Sequence, residues 1–493
     1  MDSSLNADRR AGELAQAAEE TVDVLVVGLG ATGAGAALDA ASRGLSVAAI
    51  DAHDLAFGTS RWSSKMIHGG LRYLAKGQVD VAYESAVERG ILLTRTAPHL
   101  VKAFPYLLPL TPGVSRGQAA LVMSGYRLGD GLRAAARTPR RLLPGPSRLG
   151  ASRARSLAPA LSGYGLRGAL LSWDGRLLDD ARLVVALART AAGHGAKILT
   201  RCRALELSET GARVRDEMTG TEFAIRARAV INAAGVWAGT LDPRVRLRPS
   251  RGTHLVLRAD ALPGLRTGLH VPIPGESNRF ALVLPQSGGL VHVGLTDVAV
   301  DGPVSDVPEA PEEDIRTLLS VLNTVLETEL TRGDVAGAYA GLRPLLAAEG
   351  RTADLSRRHA VLTRGGVVTV VGGKLTTYRR MAEDAVDRAV AVRGLRAGPS
   401  RTAALPLVGA GPAPAGAPPR LVRRYGAEAG AVQRLVQAHP EEAGLGLTAG
   451  DLIWSVRHEG ALDVADLLDR RTRIGLVAGD RERAARVAES AFR

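Results

Sequence analysis

Gly28, Gly30 and Gly33 fall in the spacing G-x-G-x-x-G, and a carboxylate, Asp51, follows 18 residues after the last of them. This set suits a pyrophosphate and a ribose. The first glycine permits a tight turn, the second lets a diphosphate approach the main chain, and the third lets a helix press against a strand. An acid at about this distance bonds ribose hydroxyls. Residues 22–27 (VDVLVV) have the apolar, β-branched content of a buried parallel strand. The Ala-rich stretch after Gly30 reads as a helix whose N-terminal N–H groups and positive dipole end suit phosphates. Gly44 stops it, and 46–50 forms the second strand, delivering Asp51. Ala52 and His53 come next in place of an arginine, so a 2′-phosphate has no partner. That favours FAD or NAD over NADP.

Two further glycine turns favour a flavin. VVGG at 370–373 reads as a strand ending where the main chain can meet a flat ring, and Lys374, Leu375, Thr376 and Thr377 open the next helix. A helix N-terminus there would stabilise negative charge on a reduced flavin. INAAG at 231–235, ending in Gly235, supplies another strand end. GGKLTT is not a phosphate-binding P-loop, because G-x-x-x-x-G-K needs glycine where Val368 stands.

A length of 493 residues predicts two to four domains. With 46% hydrophobic and only 3% aromatic residues, the cores must be built from Ala, Val and Leu. A formal charge of +13 favours an anionic partner: a phosphorylated substrate, an acidic membrane surface or nucleic acid. The last finds no helix-turn-helix, zinc ligand set or aromatic-interleaved basic strand, and is set aside. The single cysteine, Cys202, excludes an internal disulfide and a cysteine zinc cluster, and suits a reducing cytoplasm. No metal site is expected. The polar residues 1–20 read as a disordered leader rather than a signal peptide. No apolar stretch is long enough to span a bilayer, so any membrane attachment is peripheral.

The order of patterns predicts an α/β (α+β) protein. A Rossmann-like dinucleotide domain (21–95, 155–247 and 335–396) is interrupted by an antiparallel-sheet substrate domain (96–154 and 248–334). Residues 397–419, rich in Pro, Gly and Ala, read as a linker, and 420–493 as a helical domain. Residues 129–159 carry seven arginines between Arg133 and Arg155, and read as a solvated insertion or a surface that meets acidic lipid headgroups.

Several longer motifs carry a family resemblance: SSKMIHGGLRY (63–73), WDGRLLDDARL (173–183), GTHLV (252–256), AGLRP (340–344) and GGKLTTYR (372–379). In this order they resemble the FAD-dependent, respiratory-type glycerol-3-phosphate dehydrogenase family, from about residue 22 through the C-terminal helices. Asp51 departs from the glutamate usual there. The resemblance implies oxidation of sn-glycerol 3-phosphate to dihydroxyacetone phosphate, by hydride transfer from C2 to flavin N5, with electrons passed to a quinone. It implies substrate-site cations at Arg72, Arg343 and Lys374, a hydroxyl donor at Tyr73, and a further clamp at Arg357. Guanidinium and ammonium groups suit a phosphate dianion. His254 is the expected base, with Lys374 or Arg343 steadying the alkoxide. FAD contacts are expected from Gly28, Gly30, Thr32, Gly33, Asp51, Ser60, Ser64, Lys65, His68, Gly69, Gly70, Gly235, Gly372, Gly373, Leu375 and Thr376. A place on the cytoplasmic face of the plasma membrane and a homodimer are further expectations. The competing readings are a glycerol-3-phosphate oxidase using oxygen and an amino-acid oxidase of the same fold.

Overall fold

The computed structural model describes residues 2–74, 77–276, 279–347 and 358–493; for residues 71 and 72 it describes the main chain. Two sheets organise the chain. The first runs His359–Arg364, Val367–Gly372, Glu222–Asn232, Thr21–Val27, Val47–Ile50, Lys197–Leu199, with the hairpin Cys202–Ser208 and Gly211–Asp216 attached to Glu222–Asn232. Its central pairs are parallel: Val24 lies beside Ala229 and Val47, and Asn232 beside Thr369. Helices cover this sheet, which is why its strands are apolar on both sides. Of the twelve residues of helix Ala31–Ser42, only Thr32 is not buried. Its small side chains let it pack tightly between helices Asp180–Gly193 and Tyr378–Arg393.

Among the described residues the second sheet has ten strands and is largely antiparallel. Strand Ser250–Arg258 lies between Leu290–Gly294 and Val335–Arg343, and Val101–Pro109 pairs with Ala169–Leu177 along its whole length. Helix Glu312–Asn323 packs on this sheet through Ile315, Leu318, Leu319 and Leu322. That spacing puts four apolar side chains on one stripe. Glu312, Glu313 and Asp314 in its first turn complement the positive end of the dipole.

Three expectations on domain layout are corrected. Residues 1–20 are ordered: helix Ala7–Glu19 is capped by Asn6 and buries the Arg10 guanidinium against Asp216 (2.5 Å) and the Thr200 carbonyl (2.7 Å). A polar leader acquires a fold because its arginine meets a carboxylate two hundred residues away. Strands Met66–Ile67, Ala169–Leu177 and Val335–Arg343, expected in the dinucleotide domain, belong to the second sheet. A strand's own alternation does not name its partner. Residues 397–419 are packed rather than loose: Ser400 donates to Asp39, Leu407 is buried, and its N–H bonds the Thr96 carbonyl (2.9 Å). The arginine-rich stretch follows helix Arg116–Ala135, adds strand Ser147–Leu149 to the second sheet and continues into helix Ala151–Leu157, with Arg137, Arg140, Arg141, Arg148, Arg153 and Arg155 exposed. Among the described residues no helix is long and apolar enough to cross a membrane.

Candidate active site

A cavity of about 930 Å³ opens at the carboxyl ends of the parallel strands and runs between the two sheets. This is where open α/β sheets hold ligands. At one end stand Gly28, Gly30, Thr32 and Asp51. The glycines are sterically required. A Cβ on Gly33 would sit 1.7 Å from the Gly28 carbonyl oxygen, and one on Gly28, whose φ is +103°, 2.6 Å from that of Ala233. Gly30 leaves the helix start without a side-chain cap of its own, while Ser60 accepts the Ala31 N–H at 2.8 Å. Asp51 accepts N–H bonds from Leu29 (2.7 Å) and His53 (2.8 Å). Desolvation nevertheless pushes its pKa up to about 6. A glycine cradle that a Cβ would fill, an open helix N-terminus and a desolvated carboxylate together fit the diphosphate and ribose of a dinucleotide.

Gly235, Gly372, Gly373, Leu375 and Thr376 line the same cavity, together with His68 and Ser64. Gly372 and Gly373 both have positive φ, which lets the strand turn sharply into the helix that Tyr378 begins. Thr376 accepts the His68 N–H at 3.2 Å, and His68 Nδ1 accepts the Gly70 N–H at 3.1 Å.

For His254 and Arg343 the strand pair Ser250–Arg258 and Val335–Arg343 does the positioning. Its register sets Ser250 opposite Arg343, Gly252 opposite Gly341 and His254 opposite Tyr339. Arg343 donates to the Ser250 hydroxyl (3.1 Å) and the Thr296 carbonyl (3.2 Å), with Asp297 at 3.6 Å. Gly252 makes room for it, since a Cβ there would lie 2.3 Å from Arg343 Nη2. Lys374 donates to Ser85 and lies 4.2 Å from the Tyr73 ring centroid. His254 is buried, shares a 2.9 Å hydrogen bond with Ser64 through Nε2, and stacks on Tyr339 at 4.8 Å. Burial, then the Lys65 and Arg343 charges, hold it well below the ordinary histidine range, so the ring is neutral.

The structure therefore brings Gly28, Gly30, Thr32, Asp51, Ser60, Ser64, His68, Tyr73, Gly235, His254, Arg343, Gly372, Gly373, Lys374, Leu375 and Thr376 onto one cavity. Four expected contacts stand behind its wall instead. Gly33 is the helix–strand packing point. Lys65 is buried under the Ser63–Ser64 turn, bonded to Asp180 (3.2 Å), the Ser63 carbonyl (3.0 Å) and the Tyr339 hydroxyl (3.3 Å). Burial lowers its pKa to about 8. Gly69 donates to Asp174 and leaves space for Arg89, and Gly70 leaves space for the Tyr73 ring. The side chain of Arg72 and all of Arg357 lie outside the described residues.

Sequence reasoning missed the mouth of the cavity. Helix Arg116–Ala135 contributes Leu121, Val122 and Tyr126 to the lining, and His270, Arg279 and Phe280 line the same cavity. Tyr126 and His270 are 3.4 Å apart, and burial lowers His270 to about 4. The only available signal was the alternation in GLHVP, which turns His270 to one face of its strand.

Comparison with known proteins agrees with this geometry. Residues 23–379 match the family model of FAD dependent oxidoreductases, and residues 400–491 match the C-terminal domain of alpha-glycerophosphate oxidase. The chain is 53% identical over 504 residues to glycerol-3-phosphate dehydrogenase 1 of Mycobacterium tuberculosis (strain ATCC 25618 / H37Rv), covering 99% of this chain and 98% of that one. It is 37% identical over 436 residues to the mitochondrial glycerol-3-phosphate dehydrogenase of Bos taurus, covering 82% and 58%. Its fold resembles that of the glycerol-3-phosphate dehydrogenase from Bacillus halodurans complexed with FAD, with a TM-score of 0.76, 26% identity, and 99% and 94% of the two chains covered. With the dinucleotide cradle, the glycine turns and both family matches in register, the chain belongs to the FAD-dependent glycerol-3-phosphate dehydrogenase family, and its cofactor is FAD.

Proposed function

We propose that the protein oxidises sn-glycerol 3-phosphate at C2 to dihydroxyacetone phosphate and delivers the electrons to a quinone. The observation that carries this reading is that Arg343, Lys374 and His254 line the same cavity as the glycine turns suited to the flavin. Arg343 and Lys374 grip the phosphate, with Tyr73 as an added donor; two cations of different geometry suit a dianion better than a carboxylate. FAD, when bound, supplies the hydride acceptor at N5 and passes the electrons onward. The C2 hydroxyl proton passes to the Ser64 oxygen as the Ser64 hydroxyl proton moves to His254 Nε2 along their 2.9 Å hydrogen bond. Arg343 is one of the charges that depress this imidazole. A phosphate set against it offsets that charge and makes the base stronger once substrate is in place.

The quinone and an acidic membrane surface are assigned to the cavity mouth. Leu121 (64%) and Leu128 (55%) stay exposed on helix Arg116–Ala135, and Arg137, Arg140, Arg141, Arg148, Arg153 and Arg155 are exposed on the segment that follows. Apolar side chains flanked by arginines suit lipid tails and anionic headgroups on the cytoplasmic face of a membrane. The deciding experiment is anaerobic addition of sn-glycerol 3-phosphate while the flavin absorption band is followed. Bleaching by this compound, and not by glycerol or amino acids, is the expected result; bleaching by an amino acid instead would replace the reading with an amino-acid oxidase.

A further inference from the structure

The described residues lining the cavity end at Met381, so the C-terminal domain touches none of it. It nevertheless reaches the dinucleotide end through one carboxylate. Asp54, three residues past Asp51, is fully buried and is held by Arg470 (2.6 Å) and by both nitrogens of Arg471 (2.7 and 2.8 Å). Arg471 is itself fully buried, and Arg470 is steadied by Asp466 (2.5 Å). Asp466 and Asp463 in turn bind Arg201 at 2.7 and 2.6 Å. The main chain of Arg201 and Cys202 then donates to the carbonyls of His53 and Asp51, each at 2.7 Å.

Residues 51–57 are thus gripped on both sides. Four of them, Asp51, Ala52, His53 and Phe57, line the cavity, and His53 stacks on Phe57 at 3.8 Å, with the Arg470 guanidinium 5.6 Å from the centroid of that ring. A buried carboxylate that loses its partners must turn toward water. For Asp54 that turn would carry the ribose-facing Asp51 with it. We infer that Asp54, Arg470 and Arg471 are positioning residues for FAD, and that the C-terminal domain sets FAD affinity without contacting it.

A second set of bonds between the same two parts of the chain provides the control. Arg189 is bound by Glu428 through two 2.7 Å bonds and also contacts Ser3 and Trp454, none of which lines the cavity. The test titrates FAD into deflavinated protein and follows the quenching of flavin fluorescence. Asp54→Asn and Arg471→Met are expected to weaken FAD at least tenfold, and Glu428→Gln to leave it within twofold. Wild-type affinity in both of the first two variants, or equal weakening by Glu428→Gln, would overturn the inference. Should those variants not fold, hydrogen exchange on the wild-type protein decides, because coupling is reciprocal. Removing FAD is expected to deprotect residues 462–473 while 429–438 and 478–490 hold. A uniform change, or none, would sink the idea. Neither readout uses a substrate, so the outcome is independent of the proposed reaction.

Discussion

The arginines at the C-terminal seam and the cations of the cavity are both held by hydrogen bonds, yet only the latter line the cavity. At the seam carboxylates meet guanidiniums: Arg182 with Glu459, Arg189 with Glu428, Arg470 and Arg471 with Asp54. In the cavity Arg343 bonds the hydroxyl of Ser250 and the carbonyl of Thr296, with the Asp297 carboxylate farther off at 3.6 Å, and Lys374 bonds the hydroxyl of Ser85. A buried pair neutralises itself and holds two surfaces together; breaking one side leaves a stranded charge. Arg343 and Lys374 line the cavity, where an incoming anion can reach them, whereas none of the seam arginines does. The lesson is that burial of an arginine does not by itself distinguish structural from chemical use. Access to the cavity does.

This contrast can be broken in four ways. Arg343→Ala is expected to lower kcat/KM for sn-glycerol 3-phosphate by roughly three to four orders of magnitude, about 4–5 kcal/mol. The flavin band and the unfolding midpoint should stay in place; loss of either would make Arg343 a structural residue. Arg182→Met should do the reverse. It strands the Glu459 carboxylate and costs about 4 kcal/mol in denaturant unfolding, with KM unchanged. Next comes acid. Burial pushes Glu459 up, but Arg182 outweighs it and holds the carboxyl at about 2, below its ordinary 4.5. Because the folded value is the lower one, the pair stabilises fully above pH 4.5 and fades as the pH falls toward about 2, a loss of about 3 kcal/mol. Stability measured across that window should fall in the wild type and be flatter in Glu459→Gln. The smallest effect is expected from Gly252→Ala. The added Cβ meets the flexible end of Arg343 rather than main chain, so KM should rise about tenfold, or about 1.4 kcal/mol, with stability little changed.

How much of this was legible beforehand depended on whether the physics was local. Gly28, Gly30, Gly33 and Asp51 act through turn geometry and a strand–helix–strand run of about thirty residues, so their types and spacing carry the cradle by themselves. The glycine pair at 372–373 is likewise a local turn. Lys65 shows the limit: its place in a motif put it near the flavin, but whether its ammonium faces the cavity or Asp180 depends on a helix more than a hundred residues away. Helix Ala7–Glu19 shows the same limit, since its polar sequence is anchored by distant partners such as Asp216, Thr200 and Ile198.

By itself the chain's order of residues determined the dinucleotide fold, the choice of FAD and the types of side chain available to bind a phosphorylated alcohol. These rest on dihedral freedom, hydrophobic period and charge, which a short segment owns. Tertiary structure alone decided which strands form the second sheet, which arginines are neutralised, and that Asp54 is held by residues 416 and 417 positions further along. Pairing across such separations depends on how every intervening element packs, and no single stretch of sequence contains that information.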